Sequence, residues 1–136
     1  MKPKYMLDTN ICIYLMKNQP VGVAERFARC FVGDVVISSI TLAELEYGVV
    51  CSGDAELLNR AALASFLENV PVAPFGTHAA RAYGSARFAT RERERDALDK
   101  LIAAHATALN VVLVTNNETD FSAYPGLRVE NWVGRR

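Results

Sequence analysis

Val111-Val112-Leu113-Val114-Thr115 runs directly into Asn116-Asn117-Glu118-Thr119-Asp120. The first five residues are apolar or β-branched with no alternation, which is the pattern of a strand buried on both faces, and such strands belong to parallel sheets covered by helices. Lys4 to Leu7 and Val35 to Ser38 read the same way. Val72 to Phe75, flanked by prolines, and Leu127 to Trp132 are further strand candidates, the last at an edge.

Between these runs the period changes to that of helices. Ile11, Tyr14 and Leu15 share a face; so do Val23, Phe27, Cys30 and Phe31, and so do Leu98, Leu101, Ile102, His105 and Leu109. The segment from Asp54 to Asn69 is apolar on more than one face, and a helix is expected from about Thr77 to Thr90. Strands alternating with helices predict an α/β fold with a mostly parallel sheet. No repeat, low-complexity tract or long linker divides the 136 residues, so residues 1–136 form one domain.

Composition narrows the function classes. Fifteen Lys and Arg balance fifteen Asp and Glu, so no overall charge announces a nucleic-acid partner. No apolar run approaches the roughly 20 residues needed to span a bilayer, and Asp8 interrupts any signal-peptide core. Cys12, Cys30 and Cys51 are odd in number and widely spaced, which argues against a disulfide framework or a zinc site and for a reducing cytoplasm.

In a parallel α/β sheet the strand ends and the starts of the following helices share one edge, where ligands collect. Asp8 follows the first strand, Glu44 lies one turn into the helix after the second, Asp120 follows the third, and Asp99 is near the start of the helix leading into that strand. Four acids from separate elements are therefore expected to converge. Carboxylates in one cleft repel each other, and a hard divalent cation such as Mg²⁺ or Mn²⁺ relieves that repulsion with oxygen ligands. The chemistry such a cluster serves most directly is phosphodiester hydrolysis.

Taken singly, each acid has a plainer use. Asp8 suits a turn or the N-cap of a helix starting near Ile11. Thr41-Leu42-Ala43-Glu44 has the spacing of a capping box. Asp99 complements a helix dipole, with Asp96 as the cap, and Asp120 fits a loop. His105 on its apolar face and the aromatics Phe75, Tyr83 and Phe88 read as packing residues. The alternating charges of Arg87 to Arg95 read as a solvated helix end, although they set four arginines just before Asp99, where they would suit phosphate.

Four segments together resemble the VapC toxins of the PIN-domain family. They are Met6-Leu7-Asp8-Thr9-Asn10-Ile11-Cys12-Ile13-Tyr14, Ile40-Thr41-Leu42-Ala43-Glu44-Leu45-Glu46-Tyr47-Gly48, Asp99-Lys100-Leu101-Ile102-Ala103-Ala104-His105-Ala106, and Leu113-Val114-Thr115-Asn116-Asn117-Glu118-Thr119-Asp120-Phe121. The resemblance extends from about Met6 to Trp132. It implies a three-layer α/β/α fold and a Mg²⁺- or Mn²⁺-dependent endoribonuclease acting as the toxin of a toxin–antitoxin pair. It also implies a homodimer, inhibition by a VapB-type antitoxin, and an RNA substrate for which tRNA is a candidate. By the same resemblance Asp8, Glu44 and Asp99 match an acidic triad, with Asp8 and Asp99 as metal ligands. Asp120 matches a fourth acidic position, and Thr115 and Asn117 a polar pair beside the cleft.

The chain departs from many relatives in Arg91-Glu92-Arg93-Glu94-Arg95-Asp96-Ala97-Leu98, where they carry a Gly/Pro-containing loop; here the segment is more charged and more compatible with a helix. The RNA target therefore need not be shared. Three other readings compete, one of them a pure interaction protein, which would leave the acid cluster unexplained. A PIN-like nuclease acting on DNA would use the same phosphate chemistry. A receiver-type signalling module would need an acidic pair after the first strand, and only Asp8 stands there. The helix from Asp54 to Asn69, with Tyr47 and Val49-Val50, is the expected contact face for a second copy or an antitoxin.

Overall fold

A computed structural model describes residues 2–133. Arg135 and Arg136, two further arginines of the sequence, lie outside them. Five strands form one sheet: β1 (Tyr5–Leu7), β2 (Val35–Ser38), β3 (Val72–Ala73), β4 (Val112–Val114) and β5 (Arg128–Glu130). Their spatial order is β3-β2-β1-β4-β5 and every pairing is parallel, with Met6 opposite both Val36 and Leu113.

The helices are α1 (Thr9–Lys17), α2 (Val21–Ala28), α3 (Ser39–Val50), α4 (Glu56–Leu67), α5 (Thr77–Ala89), α6 (Ala97–Leu109) and α7 (Glu118–Phe121), with a 3₁₀ turn at Gly53–Ala55 before α4. The expected three-layer α/β/α architecture is present. The lack of alternation in the strands has a direct cause. Leu7, Val35, Ile37 and Val114 pack beneath α1 to α4 against Ile11, Val23, Leu45 and Leu63. Met6, Val36 and Leu113 point to the other face, against Ala86, Ile102, Ala103, Ala106 and Phe121.

Several elements differ from expectation. Prolines at 71 and 74 bracket β3, and because proline donates no ladder hydrogen bond only two residues pair. On α6 the buried positions are Lys100 and Ile102 to Ala106, while the expected face residues Leu98 and Leu109 are partly exposed. This helix is wedged against α5, α3 and β4, so it buries nearly its whole girth over its middle turns. Helix α2 stops at Ala28, which leaves Phe31 on the surface. Phe88 is also exposed, with the Arg91 guanidinium 4.1 Å above its ring rather than a core around it.

Arg91 to Arg95 is not a helix end. Helix α5 closes at Thr90, whose hydroxyl donates to the Ala86 carbonyl at 2.9 Å, and residues 91–96 form a loop held from below by Lys100. The apolar segment from Asp54 to Asn69 divides in the same way. Leu63 is buried and Phe66 and Leu67 pack on the core, whereas Leu57 and Leu58 remain 85% and 73% exposed. Val49 on α3 is likewise buried, while Tyr47 and Val50 of the same helix are exposed.

Candidate active site

The ends of β1 and β4 deliver Asp8 and Thr115 to one edge of the sheet. Asp8 leaves β1 with its backbone N–H donating to the Val114 carbonyl at 3.0 Å, which ties it to β4. Its side chain is 7% exposed, and both oxygens are engaged: Oδ1 accepts the Ile11 N–H at 3.0 Å, capping α1, and Oδ2 accepts the Thr115 hydroxyl. The capping use and the cleft use of Asp8 therefore coexist. Burial raises its pKa and the charge of Glu44 adds to this, against the bonds from Thr115, Ile11 and Asn10.

Thr115 is fully buried directly after β4, and its hydroxyl oxygen also accepts the Asn117 N–H at 3.0 Å. Asn117 in turn donates from Nδ2 to Asp120 Oδ2 at 2.9 Å. Thr115 and Asn117 thus link the buried Asp8 to the exposed Asp120 through one chain of hydrogen bonds.

Glu44 does not complete a capping box. Ser38 caps α3, accepting the Ile40 N–H, and Thr41 lies inside the helix. With no cap to make, Glu44 Oε1 instead accepts the Thr9 hydroxyl at 2.5 Å, across to the first turn of α1. Sequence reasoning missed Thr9, and its position next to Asp8 was the available signal.

Asp99 stands on the first turn of α6 with its carboxyl pushed up to about 6. Burial is the largest cause, and the charges of Asp96, Asp8, Glu44 and Asp120 all add to it. This is the electrostatic mark of convergence, since every acid expected at this edge acts on Asp99. Asp99 and Asp120 line an open bowl of about 520 Å³ together with Glu92, Arg93, Glu94, Arg95 and Asp96. Glu44 lies to the side, where it also borders an apolar groove with Ile13, Met16, Leu45, Val49 and Leu63.

Among the described residues, no three acidic, His or Cys side chains are gathered closely enough to cage a metal by themselves. The donor set is all oxygen, and the repulsion that raises Asp99 is what a cation would remove. Mg²⁺ and Mn²⁺ need only one or two carboxylates, waters completing the shell, so these residues fit a hard cation in an open site.

A second cluster is built around Asp96, which also lines the bowl. Asp96 occupies the N-cap position of α6 but makes no cap bond with its side chain. Its Oδ2 accepts the Tyr124 hydroxyl at 3.1 Å and Arg93 Nη1 at 3.4 Å, and Oδ1 lies 3.4 Å from Lys100 Nζ. Burial works to raise its pKa, yet Tyr124, Arg93 and Lys100 outweigh it and hold the carboxyl below its usual value. Lys100 and Tyr124 were missed from sequence; the i,i+4 spacing of Asp96 and Lys100 was the only signal. His105, expected to be a packing residue, is buried with Nδ1 2.8 Å from Ser38 Oγ and its ring against Phe75.

The model of the PIN domain family matches residues 5–127. The chain is 40% identical over 131 residues to the tRNA(fMet)-specific endonuclease VapC of Shigella flexneri, covering 95% of this chain and 98% of that one. Among solved structures, the DNA-bound VapBC of Salmonella typhimurium superposes with a TM-score of 0.86 at 39% identity, covering 96% of this chain and 98% of that one. VapBC2 of Rickettsia felis, bound to a DNA fragment from their promoter, gives 0.84 at 36% identity, with 94% and 98% covered.

Proposed function

The chain belongs to the PIN domain family, and from that premise we propose that it is the toxin of a type II toxin–antitoxin system, a divalent-metal-dependent endoribonuclease neutralised by a VapB-type antitoxin. The near-full-length similarity to VapC ribonucleases supports the activity, and the VapBC neighbours support the partner. The observation that carries the site assignment is the Asp99 carboxyl, raised to about 6 by burial and by four other acids.

In this reading Asp8 and Asp99 hold Mg²⁺ or Mn²⁺, which when bound supplies Lewis acidity and neutralises charge at the phosphate. Asp8 is fixed for the task by Ile11 and Thr115, which leaves it no rotational freedom to lose. Glu44, anchored through Oε1 by Thr9, takes onto its carboxylate a proton of the water that attacks phosphorus. The P–O bond to the leaving oxygen then breaks, and that oxygen takes a proton from solvent. Asp120, oriented by Asn117, completes the acidic wall of the bowl. The partner surface is the exposed apolar set Tyr47, Val50, Leu57 and Leu58 on α3 and α4, the face on which a VapB-type antitoxin or a second copy is expected to bury area. No helix among the described residues is long and apolar enough to cross a membrane.

The test is cleavage of RNA, tRNA included, by the purified antitoxin-free protein with Mg²⁺ or Mn²⁺, beside DNA of the same sequence. RNA is expected to be cut and DNA spared, with Asp8→Asn and Asp99→Asn inactive yet folded. Cleavage that persists in chelator, or in either variant, overturns the assignment.

A further inference from the structure

Arg93 lines the bowl together with Asp99 and Asp120. Its Nη1 donates to the main-chain carbonyl of Asp120 at 2.9 Å and lies 3.4 Å from Asp96 Oδ2. The carboxylate of Asp120 is held separately, by Asn117 Nδ2. Asp120 is thus oriented from two sides, its main chain from the loop before α6 and its side chain from the start of α7.

That loop is itself anchored. Lys100, 6% exposed, donates to the carbonyls of Thr90 at 3.0 Å and Arg93 at 2.7 Å and pairs with Asp96. An ammonium withdrawn from water is costly unless it is paired, and here two carbonyls accept from it while the Asp96 carboxylate balances its charge from 3.4 Å. Tyr124, beyond α7, adds its hydroxyl to Asp96. The Asp96 carboxylate therefore joins the loop, the first turn of α6 that carries Asp99, and the chain just after α7 that carries Asp120.

We infer that Arg93, braced by Asp96 and Lys100, is a positioning residue that fixes the Asp120 main chain relative to Asp99 and so sets the shape of the divalent-cation site. This rests on the metal-dependent reading of the bowl given above. A groups-behind-the-ligands arrangement of this kind ordinarily changes metal affinity when it is broken.

The sign of the effect separates positioning from charge. Deleting a guanidinium beside an acidic site removes a repelling cation, and by Coulomb's law alone it would tighten a divalent ion. Loss of positioning does the reverse. Mn²⁺ binding to the full, antitoxin-free and RNA-free chain, followed by the electron paramagnetic resonance of free Mn²⁺, reads this without catalysis. Arg93→Ala is expected to weaken Mn²⁺ roughly 10-fold while the melting temperature stays close to wild type, and Arg93→Lys to recover part of the loss. Lys100→Met, which releases the whole loop, should weaken binding at least as much. Affinity that is unchanged or tighter in Arg93→Ala overturns the positioning role and leaves the nuclease reading standing. A wild-type chain that binds no Mn²⁺ overturns the metal-dependent reading and this inference with it.

Discussion

Replacing Asp99 by Asn should stabilise the metal-free protein while abolishing RNA cleavage. The carboxyl is raised from 3.8 to about 6, first by burial and then by the charges of Asp96, Asp8, Glu44 and Asp120. At about 1.4 kcal/mol per pH unit this corresponds to about 3 kcal/mol favouring the neutral form. Asp99 is only half-buried, so solvent screening reduces the usable gain to roughly 1–2 kcal/mol. The sign follows from linkage. The folded state binds this proton more tightly than the unfolded chain, so the benefit is complete below about pH 4, is lost as pH rises toward 6, and is absent at pH 7.5. Asparagine carries no charge to lose. Thermal unfolding in chelator at pH 7.5 should therefore show Asp99→Asn melting roughly 3–10 °C above wild type, with the gap closing as the buffer is taken to about pH 4. Mn²⁺ should raise the wild-type melting temperature and leave the variant unmoved. A variant no more stable than wild type at pH 7.5, or a gap that persists in acid, refutes the claim that four acids converge on Asp99.

Asp8 separates its two uses by substitution: Asp8→Asn keeps an oxygen for the Ile11 N–H, whereas Asp8→Ala removes the cap and strands the buried Thr115 hydroxyl. The alanine variant should lose about 2–3 kcal/mol in urea unfolding and the asparagine variant much less, both being inactive. His105 is held neutral by burial, against the Pro74 carbonyl that favours its proton. The unfolded chain takes that proton first, so the His105 contribution falls as pH drops below about 6.5. Measured in the Asp99→Asn background, the melting temperature between pH 7 and 5 should fall more steeply than when His105→Gln is added. Leu57→Glu and Leu58→Glu, at exposed positions, should each leave the isolated chain within about 0.5 kcal/mol of wild type while weakening capture of a VapB-type antitoxin or of a second copy; unimpaired assembly in both removes this face from the partner surface.

What was legible in the sequence was what repeats along the chain. Val112 to Val114 is apolar at every position because both faces of β4 are covered, and that single fact leads to a parallel sheet with helices on either side. The edge of such a sheet is where Asp8, Glu44, Asp99 and Asp120 are then expected, while Thr115 and Asn117 come from the family resemblance. Less legible were choices settled by tertiary partners. The spacing from Thr41 to Glu44 fits a capping box, but Ser38 takes the cap and Thr9 takes Glu44, and nothing local to α3 shows it. Leu57 and Phe66 are both large apolar residues on one helix; only the position of the core decides that Phe66 packs and Leu57 does not.

The charged loop is the instructive failure. Arg91 to Arg95 has helical propensity and a sign pattern that suits a solvated helix. A buried lysine nine residues beyond Arg91 takes the carbonyl of Thr90, where α5 closes, and that of Arg93 within the loop, and so ties the segment to α6 in a non-helical path. The same rearrangement changes what the balanced charge of the chain means. Arg93 is engaged by Asp96 and by a main-chain oxygen rather than by the carboxylates of Asp99 and Asp120. The acids at the sheet edge therefore keep their mutual repulsion, visible in the raised carboxyls of Asp8 and Asp99. A polyanion approaching this edge meets negative charge until a divalent cation reverses it. RNA binding should accordingly be weak in chelator and rise steeply with Mn²⁺, and equal RNA affinity in both conditions, measured with the inactive Glu44→Gln variant, would show that the arginines and not the cation hold the strand.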